Sequence, residues 1–206
     1  MVFKTKNFCI VLSSPSGAGK TSISKQLIKK DTSIALSISC TTRPKRRGEI
    51  NKKDYIFFND NEFNKFVKKN EFLEFAEVFG YRYGTLRHTV NSFFSKKKDV
   101  LFDIDWQGYQ QLKQSNLEVV GIFILPPSKK ELVKRLKIRA RDTSEEMKKR
   151  MKLVQNEISH FPEYDYVVVN ENLDICVKKI MNIIESERSK KSRIIDLTKF
   201  INKFRV

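Results

Sequence analysis

The sequence predicts an α/β fold with a parallel-sheet core and helices on both faces of the sheet. Short apolar runs rich in β-branched or aromatic residues alternate along the chain with longer segments of helical periodicity. This alternation is typical of βαβ units, whose crossover helices cover the two faces. The 206 residues suffice for one domain with a complete core, and no internal repeat or Pro/Gly/Ser-rich linker divides them.

The elements of the core follow one another in order along the chain. The predicted strands are Phe8–Leu12, Val100–Ile104, Val119–Leu125 and Tyr166–Val169. The predicted helices are Lys20–Lys30, Gln107–Gln114, Lys129–Arg139, Glu145–Ser159 and Leu173–Ser186. Apart from Asp103, the strands are apolar, as expected of parallel strands that are buried on both faces. We therefore assign residues 1–35, 98–134 and 160–190 to the core.

The span from residue 36 to residue 97 has a different pattern. Predicted strands at Leu36–Cys40, Tyr55–Phe58 and Phe72–Phe79 lie close together in sequence, with one helix at Asn61–Lys69. This pattern predicts a small mixed α/β lobe inserted after the first βα unit. The tail, residues 187–206, is basic and amphipathic. It either packs as a last helix or frays, and we assign it no role.

The first strand leads into a glycine-containing loop that ends in Lys-Thr and opens a helix. The loop reads Ser14-Pro15-Ser16-Gly17-Ala18-Gly19-Lys20-Thr21. In a phosphate-binding loop of this kind, backbone N–H groups cradle phosphate oxygens, the lysine reaches the β- and γ-phosphates, and the hydroxyl can bind Mg²⁺. The usual motif begins with glycine, whereas this chain has Ser14. A glycine-rich turn without a ligand is the alternative, but it gives no reason for a lysine at the mouth.

The composition indicates which kinds of partner the protein could bind but does not identify one. The formal net charge of +17 favours an anionic ligand, either nucleic acid, an anionic surface or a small substrate, but lysines spread along a solvated surface would give the same charge. No apolar run approaches the roughly 20 residues of a membrane span, and the N-terminus lacks signal-peptide features. We therefore expect a cytoplasmic protein. Cys9, Cys40 and Cys176 lack metal-type spacing, which indicates buried thiols.

A second polar cluster lies in the predicted lobe. Arg43, Arg46 and Arg47 are interleaved with Ser, Thr and Tyr hydroxyls, and taken alone they form a basic surface loop. Arginine forks bind phosphate through two parallel hydrogen bonds, and phenols can add more. A nearby carboxylate, Glu74 or Asp105, could accept from the adjacent N1–H and 2-amino groups of guanine, a pair that adenine does not offer. The cluster thus favours a guanine nucleotide.

In order and spacing, these motifs resemble those of the guanylate kinase family from about Phe8 to Glu187. Beyond the phosphate loop, the matching segments are residues 41–49, 54–57, 72–74, 83–85, 103–108, 126–128 and 169–170. The resemblance implies a P-loop kinase with a GMP-binding lobe at residues 36–97 and a helical lid at residues 135–159. It further implies transfer of the γ-phosphoryl group of ATP to GMP, and to dGMP, giving the diphosphate and ADP.

The resemblance also implies roles for individual residues. ATP would be bound by Ser14, Pro15, Ser16, Gly17, Ala18, Gly19, Lys20, Thr21 and Asn170. GMP would be bound by Ser39, Arg43, Arg46, Tyr55, Glu74, Tyr83, Thr85 and Asp105. Thr21 and Asp103 would hold Mg²⁺ with the ATP phosphates. Lys20, Arg43, Arg139 and Arg150 would be catalytic through their charge, because an ionised phosphate acceptor needs no strong general base.

Several alternatives stay open at this point. Arg150 could form a helix salt bridge with Glu146, Asp103 could be a strand-end carboxylate, and Asn170 could cap a helix. His88 and His160 need no catalytic role. The chain could instead be a phosphopeptide-binding module, a kinase for another phosphorylated acceptor such as a ribose phosphate, or a nucleic-acid-binding protein. We expect no nucleic acid or membrane among its partners, and either a monomer or a homodimer.

Overall fold

The structure is a computed structural model that describes residues 4–139 and 144–204, with the backbone alone for residues 137–139 and 144–150. Its strands are β1 Cys9–Ser13, β2 Ile34–Leu36, β3 Cys40–Thr41, β4 Ile56–Phe57, β5 Phe72–Val78, β6 Tyr81–Leu86, β7 Asp99–Asp103, β8 Val119–Leu125 and β9 Tyr166–Val169. Its helices are α1 Lys20–Lys30, α2 Asp60–Lys68, α3 Arg87–Ser95, α4 Trp106–Lys113, α5 Lys129–Arg139, α6 Ser144–Ser159, α7 Leu173–Arg188 and α8 Leu197–Ile201.

A five-stranded parallel sheet forms the core, in the order β2-β7-β1-β8-β9. Residues of α1 and α7, among them Leu27 and Ile180, pack against one face of the sheet. Residues of α3 and α4, among them Val90 and Tyr109, form a second apolar cluster with sheet residues such as Val11 and Phe102. The predicted fold class and its four main strands are therefore confirmed. In such a sheet the carboxyl ends of the strands share one edge, where ligands usually bind.

A second, mixed sheet carries the order β4-β3-β6-β5, with antiparallel pairs β3–β6 and β5–β6. Helix α2 covers it through Phe63, whose ring stacks on Phe72 with centroids 4.4 Å apart. The expected strand Leu36–Cys40 is wrong. Ile34–Leu36 pairs with β7 in the core, and Cys40–Thr41 pairs with β6 in the second sheet, so the chain crosses between the sheets at residues 37–39.

Strand β6 and helix α3 were not predicted. Gly84 interrupts the strand pattern of β6, because glycine is depleted in strands. The sequence of α3 contains several β-branched and aromatic residues and no strong helix former beyond Arg87. Both elements form because their partners are close in space: β6 lies between β3 and β5, and Val90 of α3 is buried in the core.

The tail packs against the first residues of the described chain. Thr5 and Ile194 form an antiparallel bridge, and the backbone N–H of Lys6 donates to the Arg193 carbonyl at 2.8 Å. The buried Arg193 guanidinium bonds to the Glu187 carboxylate and lies 4.2 Å from the centre of the Phe8 ring. Of the two outcomes considered for the tail, its described part therefore packs against the chain and does not fray. Within the described chain, no helix combines the length and the apolar character needed to cross a membrane.

Candidate active site

A cavity of about 270 Å³ lies between the carboxyl ends of β1 and β7 and the mixed sheet. The phosphate loop and its helix line one side with Ser14, Pro15, Ser16, Gly17, Gly19, Lys20, Thr21 and Ser22. The other walls include Ser39, Arg46, Tyr55, Glu74, Tyr83, Asp103, Asp105 and Glu157. The structure thus brings residues from both predicted clusters to one cavity. Ala18, Arg43, Thr85 and Asn170 do not line it.

The phosphate loop has the backbone that an anion cradle requires. Gly17 and Gly19 have φ angles of +90° and +99°, in the left-handed region that favours glycine. Gly19 directly precedes helix α1, and the N–H groups of Ser22 and Ile23 donate to the Gly19 carbonyl at 3.1 Å, whereas the first two N–H groups of the helix have no intrahelical partner. Successive free N–H groups beside a helix N-terminus attract negatively charged oxygen atoms. The glycines therefore set the curvature of the loop, and the site is suited to a phosphate chain.

Lys20 connects this loop to the end of β7. Its ammonium group donates to the Ile104 carbonyl at 2.9 Å and pairs with the Asp103 carboxylate at 2.9 Å. Burial lowers the pKa of Lys20, but the attraction of Asp103 outweighs burial, and the net shift is upward. Lys20 is therefore a permanent cation whose charge is balanced by the protein itself.

Glu157 of α6 also contacts the phosphate loop, although no motif in the sequence points to this residue. Its Oε2 accepts from the backbone N–H of Ser16 at 3.1 Å. Burial raises the pKa of the Glu157 carboxyl, opposed by the bond from Ser16 and the charge of Lys20. A carboxylate oxygen thus occupies a backbone donor of the loop. The contact spans 141 positions of sequence, so no local motif could have revealed it.

Asn170 supports the phosphate loop from behind. Its side-chain Nδ2 donates to the Ala18 carbonyl at 2.7 Å, and the residue is buried. A Cβ atom at Gly19 would lie 2.5 Å from that nitrogen, so the loop fits closely against it. The capping role considered for Asn170 is wrong, because the side chain of Asn172 caps α7. The structure thus gives Asn170 a bracing contact with the loop.

On the opposite side of the cavity, Glu74 and Thr85 face each other across β5 and β6. Both are buried, with exposed fractions of 3% and 0%. Among the residues that the structure describes, Glu74 Oε1 and Thr85 Oγ1 have no hydrogen-bond partner. Burial raises the pKa of Glu74 to about 7, opposed by Thr85 and reinforced by the charge of Asp105. A buried acceptor without a donor is costly, which suggests that a ligand supplies the donor.

Asp105 lies at the start of α4 and is already engaged. Its Oδ1 accepts from the backbone N–H groups of Gln107 and Gly108, each at 3.1 Å. Its Oδ2 accepts from the Gln107 side chain at 3.0 Å. Asp105 therefore caps α4 while lining the cavity, and its carboxylate is held in one orientation.

The basic loop of the lobe has two exposed arginines, Arg46 and Arg47, and one buried arginine, Arg43. Arg46 is exposed and lines the cavity. Arg43 is buried; its guanidinium donates to Glu49 Oε1 and to the Pro44 carbonyl, both at 2.7 Å, and lies 5.3 Å from the centre of the Tyr55 ring. The rings of Tyr55 and Tyr83 meet edge to face at 6.1 Å. Arg43 thus lies behind the phenols, paired with a carboxylate.

The two predicted lid arginines cannot be located in this arrangement. The side chains of Arg139, at the end of α5, and Arg150, in α6, lie outside the described residues, as does that of Glu146. His88 is exposed, whereas His160 stacks on Trp106 with ring centroids 3.7 Å apart. The three cysteines are buried and free, as predicted. In the described part of the chain, no group of three His, Cys, Asp or Glu residues could hold a metal.

Comparisons with known proteins identify relatives over nearly the whole chain. The model of the guanylate kinase family matches residues 6–187. Guanylate kinase from Rickettsia prowazekii is 50% identical over 190 residues, which are 92% of this chain and 96% of that protein. The corresponding enzyme from Paramagnetospirillum magneticum is 46% identical over 97% of this chain and 94% of its own length. The crystal structure of guanylate kinase from Anaplasma phagocytophilum has a TM-score of 0.82 at 35% identity, covering 97% of this chain and 96% of that chain.

Proposed function

The chain belongs to the guanylate kinase family and transfers phosphate from ATP to GMP; we propose that its cavity binds the two nucleotides on opposite sides. The phosphate loop would hold ATP, and the mixed lobe would hold GMP. The observation that carries this proposal is that one cavity is lined both by the loop and by Glu74, Tyr55 and Tyr83.

On the donor side, the loop N–H groups and Lys20 would bind the triphosphate. Lys20 is charged and already directed toward the cavity by Asp103. The ATP phosphates would displace Glu157 from the Ser16 N–H group, because a polyphosphate carries more charge than one carboxylate. Asn170, through its bond to Ala18, would hold the shape of the loop.

A magnesium ion fits the donor chemistry at this edge of the sheet. Thr21 offers an exposed hydroxyl and Asp103 a carboxylate, and both line the cavity. Mg²⁺ is usually held by one or two carboxylates together with phosphate oxygens and water. Thr21 and Asp103 would hold the ion with ATP. When bound, the ion would neutralise the charge of the β- and γ-phosphates.

On the acceptor side, Glu74 would accept hydrogen bonds from the N1–H and 2-amino groups of guanine. Ser39 and Asp105, which line the cavity, would complete the contacts with the base. Thr85 was expected to do the same, but it is buried opposite Glu74 and does not line the cavity, so it would support that carboxylate instead. The phosphate of GMP would lie against Arg46 and the phenols of Tyr55 and Tyr83, with Arg43 behind them. These contacts involve the base and the phosphate, so dGMP is also expected to be accepted.

The reaction then consists of positioning and charge balance. An oxygen of the GMP phosphate forms a bond to the γ-phosphorus of ATP, the bond to the β–γ bridging oxygen breaks, and ADP leaves. Charge spreads over the equatorial oxygens of the transferred group, where Lys20, Arg139 and Arg150 would neutralise it, with Arg43 on the acceptor side. Closure of the lid, residues 135–159, over the core and the lobe would exclude water.

A nucleotide panel tests this proposal. Purified protein with ATP and Mg²⁺ should form ADP rapidly when GMP or dGMP is added, and much more slowly with AMP, CMP or UMP. Equal turnover with all acceptors would contradict the assignment of Glu74 as the reader of the base. Turnover with a ribose phosphate instead of GMP would favour the alternative kinase.

The positive charge also fits anionic nucleotides as ligands. We propose that nucleic acid is not a partner and that the protein acts in the cytoplasm, in line with its three buried free thiols. Retention on duplex DNA with a steep salt dependence would contradict the first point. Sedimentation would decide between the monomer and the homodimer that the sequence leaves open.

A further inference from the structure

Gly108, the third residue of α4, has no conformational reason to be glycine. It is helical, and it is not among the glycines with a positive φ angle, which are Gly17, Gly19, Gly48 and Gly80. Glycine in a helix interior is less favourable than alanine, because it loses more backbone freedom on folding. The reason for glycine at this position must therefore be the space around it.

That space is occupied by the carboxyl group of Glu74. A Cβ atom at residue 108 would lie 2.6 Å from Glu74 Oε2 and 3.2 Å from its Cδ, with Ile104 Cδ1 at 3.0 Å. The first distance is far shorter than a van der Waals contact. Glu74 is buried, so it cannot yield by turning into solvent. A side chain at residue 108 would therefore push the carboxylate toward the place where a base would lie.

The backbone of Gly108 also contacts the second acidic residue of the cavity. Its N–H donates to Asp105 Oδ1 at 3.1 Å, within the cap of α4. Gly108 thus lies against two of the four carboxylates that line the cavity: its Cα leaves the space that the Glu74 carboxyl group fills, and its N–H group donates to Asp105. Small errors in the placement of such groups are costly where a substrate is read by hydrogen bonds.

We propose that Gly108 is a positioning residue for base selection: its lack of a side chain sets where the Glu74 carboxylate meets the purine. The proposal rests on the proposed function, in which Glu74 reads guanine. The chemistry that it controls is recognition of the 2-amino group and N1–H. IMP, which has N1–H but no 2-amino group, is therefore the most informative competitor of GMP.

The test is a double-mutant cycle between residues 108 and 74, with KM for GMP, KM for ATP and the GMP/IMP ratio of kcat/KM as readouts. Gly108→Ala should raise KM for GMP about tenfold or more and reduce the GMP/IMP ratio, with KM for ATP within about twofold. In a Glu74→Asp background, whose shorter side chain leaves room for the methyl group, the same substitution should change KM for GMP by less than about twofold. Lys113→Ala, also in α4, is the control and should leave all three readouts unchanged.

The outcomes separate this inference from the proposed function. If Gly108→Ala raises KM for GMP equally in both backgrounds, or raises KM for ATP as much, the glycine acts on the fold and the inference is overturned. If Gly108→Ala has no effect while Glu74→Asp impairs GMP use, the inference fails and the role of Glu74 stands. If Glu74→Asp leaves GMP use unchanged, the proposed role of Glu74 itself fails. Thermal unfolding of each variant identifies any that does not fold.

Discussion

The two sides of the cavity differ in how their polar groups are satisfied. On the donor side, two carboxylates already occupy the groups that would bind phosphate. Glu157 accepts from the Ser16 N–H group, and Asp103 pairs with the Lys20 ammonium group. On the acceptor side, Glu74 Oε1 and Thr85 Oγ1 have no partner among the described residues. On binding, the donor side exchanges existing partners, whereas Glu74 on the acceptor side gains partners for a buried oxygen atom that lacks one.

This difference separates affinity from selectivity. A ligand that displaces Glu157 replaces one anion by another, so the donor side favours any polyphosphate and discriminates little between bases. A ligand that reaches Glu74 must bring hydrogen-bond donors, because otherwise the buried carboxylate stays unpaired. Sites that leave their own buried polar groups unpaired with the wrong ligand are strongly selective. Selectivity should therefore reside in Glu74 and its neighbours.

The largest effect is expected from removal of the donor-side cation. Lys20→Ala should lower kcat by about 10²–10³-fold, the usual loss when one electrostatic donor to a transition state is removed. The variant also leaves Asp103 without its partner. Coupled measurement of ADP formation checks the rate, and circular dichroism checks the fold. Lys25→Ala, exposed on the same helix, should retain full activity. A fully active Lys20→Ala enzyme would exclude the proposed role.

A smaller loss, confined to one substrate, is expected on the acceptor side. Glu74→Gln should lower kcat/KM for GMP by roughly 10²-fold, as for the loss of a hydrogen bond to a charged group together with a mismatched donor. KM for ATP should stay nearly constant. The variant should also unfold at a higher temperature at pH 8, because it no longer buries a charge. Equal losses for both substrates would show that Glu74 is structural.

The pH dependence of GMP use should follow the ionisation of Glu74. Its pKa of about 7 lies above its ordinary value, so the free carboxyl is largely protonated below neutrality, whereas guanine requires the ionised form. KM for GMP should therefore rise about tenfold between pH 8 and pH 6, and a proton should be released on binding near pH 7. The GMP phosphate also titrates near this range, but it does so equally with Glu74→Gln. If that variant keeps the full tenfold change, Glu74 is not the titrating group.

By the same linkage, Glu74 affects the stability of the free enzyme. A carboxyl whose folded-state pKa is raised stabilises the fold below its unfolded pKa, and the contribution is lost as the pH rises through about 7. The gain in melting temperature of Glu74→Gln over the unmodified protein should thus grow between pH 5 and pH 8. A constant difference across this range would contradict the buried charge.

The smallest effect is expected where one anion replaces another. Glu157→Gln keeps an oxygen acceptor for Ser16 N–H but removes the charge, so ATP should bind about fivefold more tightly, corresponding to about 1 kcal/mol. Titration calorimetry with ATP measures it. Glu171→Gln, an exposed charge-matched control, should not change the affinity. Weaker binding by Glu157→Gln would mean that Glu157 assists ATP rather than competing with it.

Most of the core could be predicted from the sequence because its strands are mainly apolar runs and longer segments of helical pattern separate them. The run Leu36–Cys40 was misassigned because its local pattern suits one strand, whereas the pairing of its two ends to β7 and β6 is decided by tertiary contacts. Strand β6 was missed because Gly84 breaks its strand pattern. Glycine stands there because the strands pack closely: a Cβ atom at residue 84 would lie 2.9 Å from the Glu74 carbonyl oxygen.

The candidate site could be predicted only where residue type and spacing carry the chemistry. The phosphate loop, the arginines and the tyrosines have such signatures. Glu74 and Asp105 were candidates because a carboxylate can accept from guanine, and the family resemblance implied the same role for both. Glu157 has no such signature, and Gly108 falls in the matching segment 103–108 but carries no chemical group, so the role of each depends on a contact that only the structure shows. The pairing of Arg43 with Glu49 was also beyond reach, since either residue alone suits an exposed loop.

The stack between Trp106 and His160 offers a spectroscopic consequence. Trp106 is the single tryptophan of the chain, and its ring lies at 8° to the imidazole of His160, which directly follows α6. Indole emission responds to a neighbouring imidazole. Because α6 carries Glu157, any shift of this helix when a nucleotide arrives would alter the fluorescence. The fluorescence of Trp106 should therefore follow nucleotide binding in a stopped-flow instrument without an added dye.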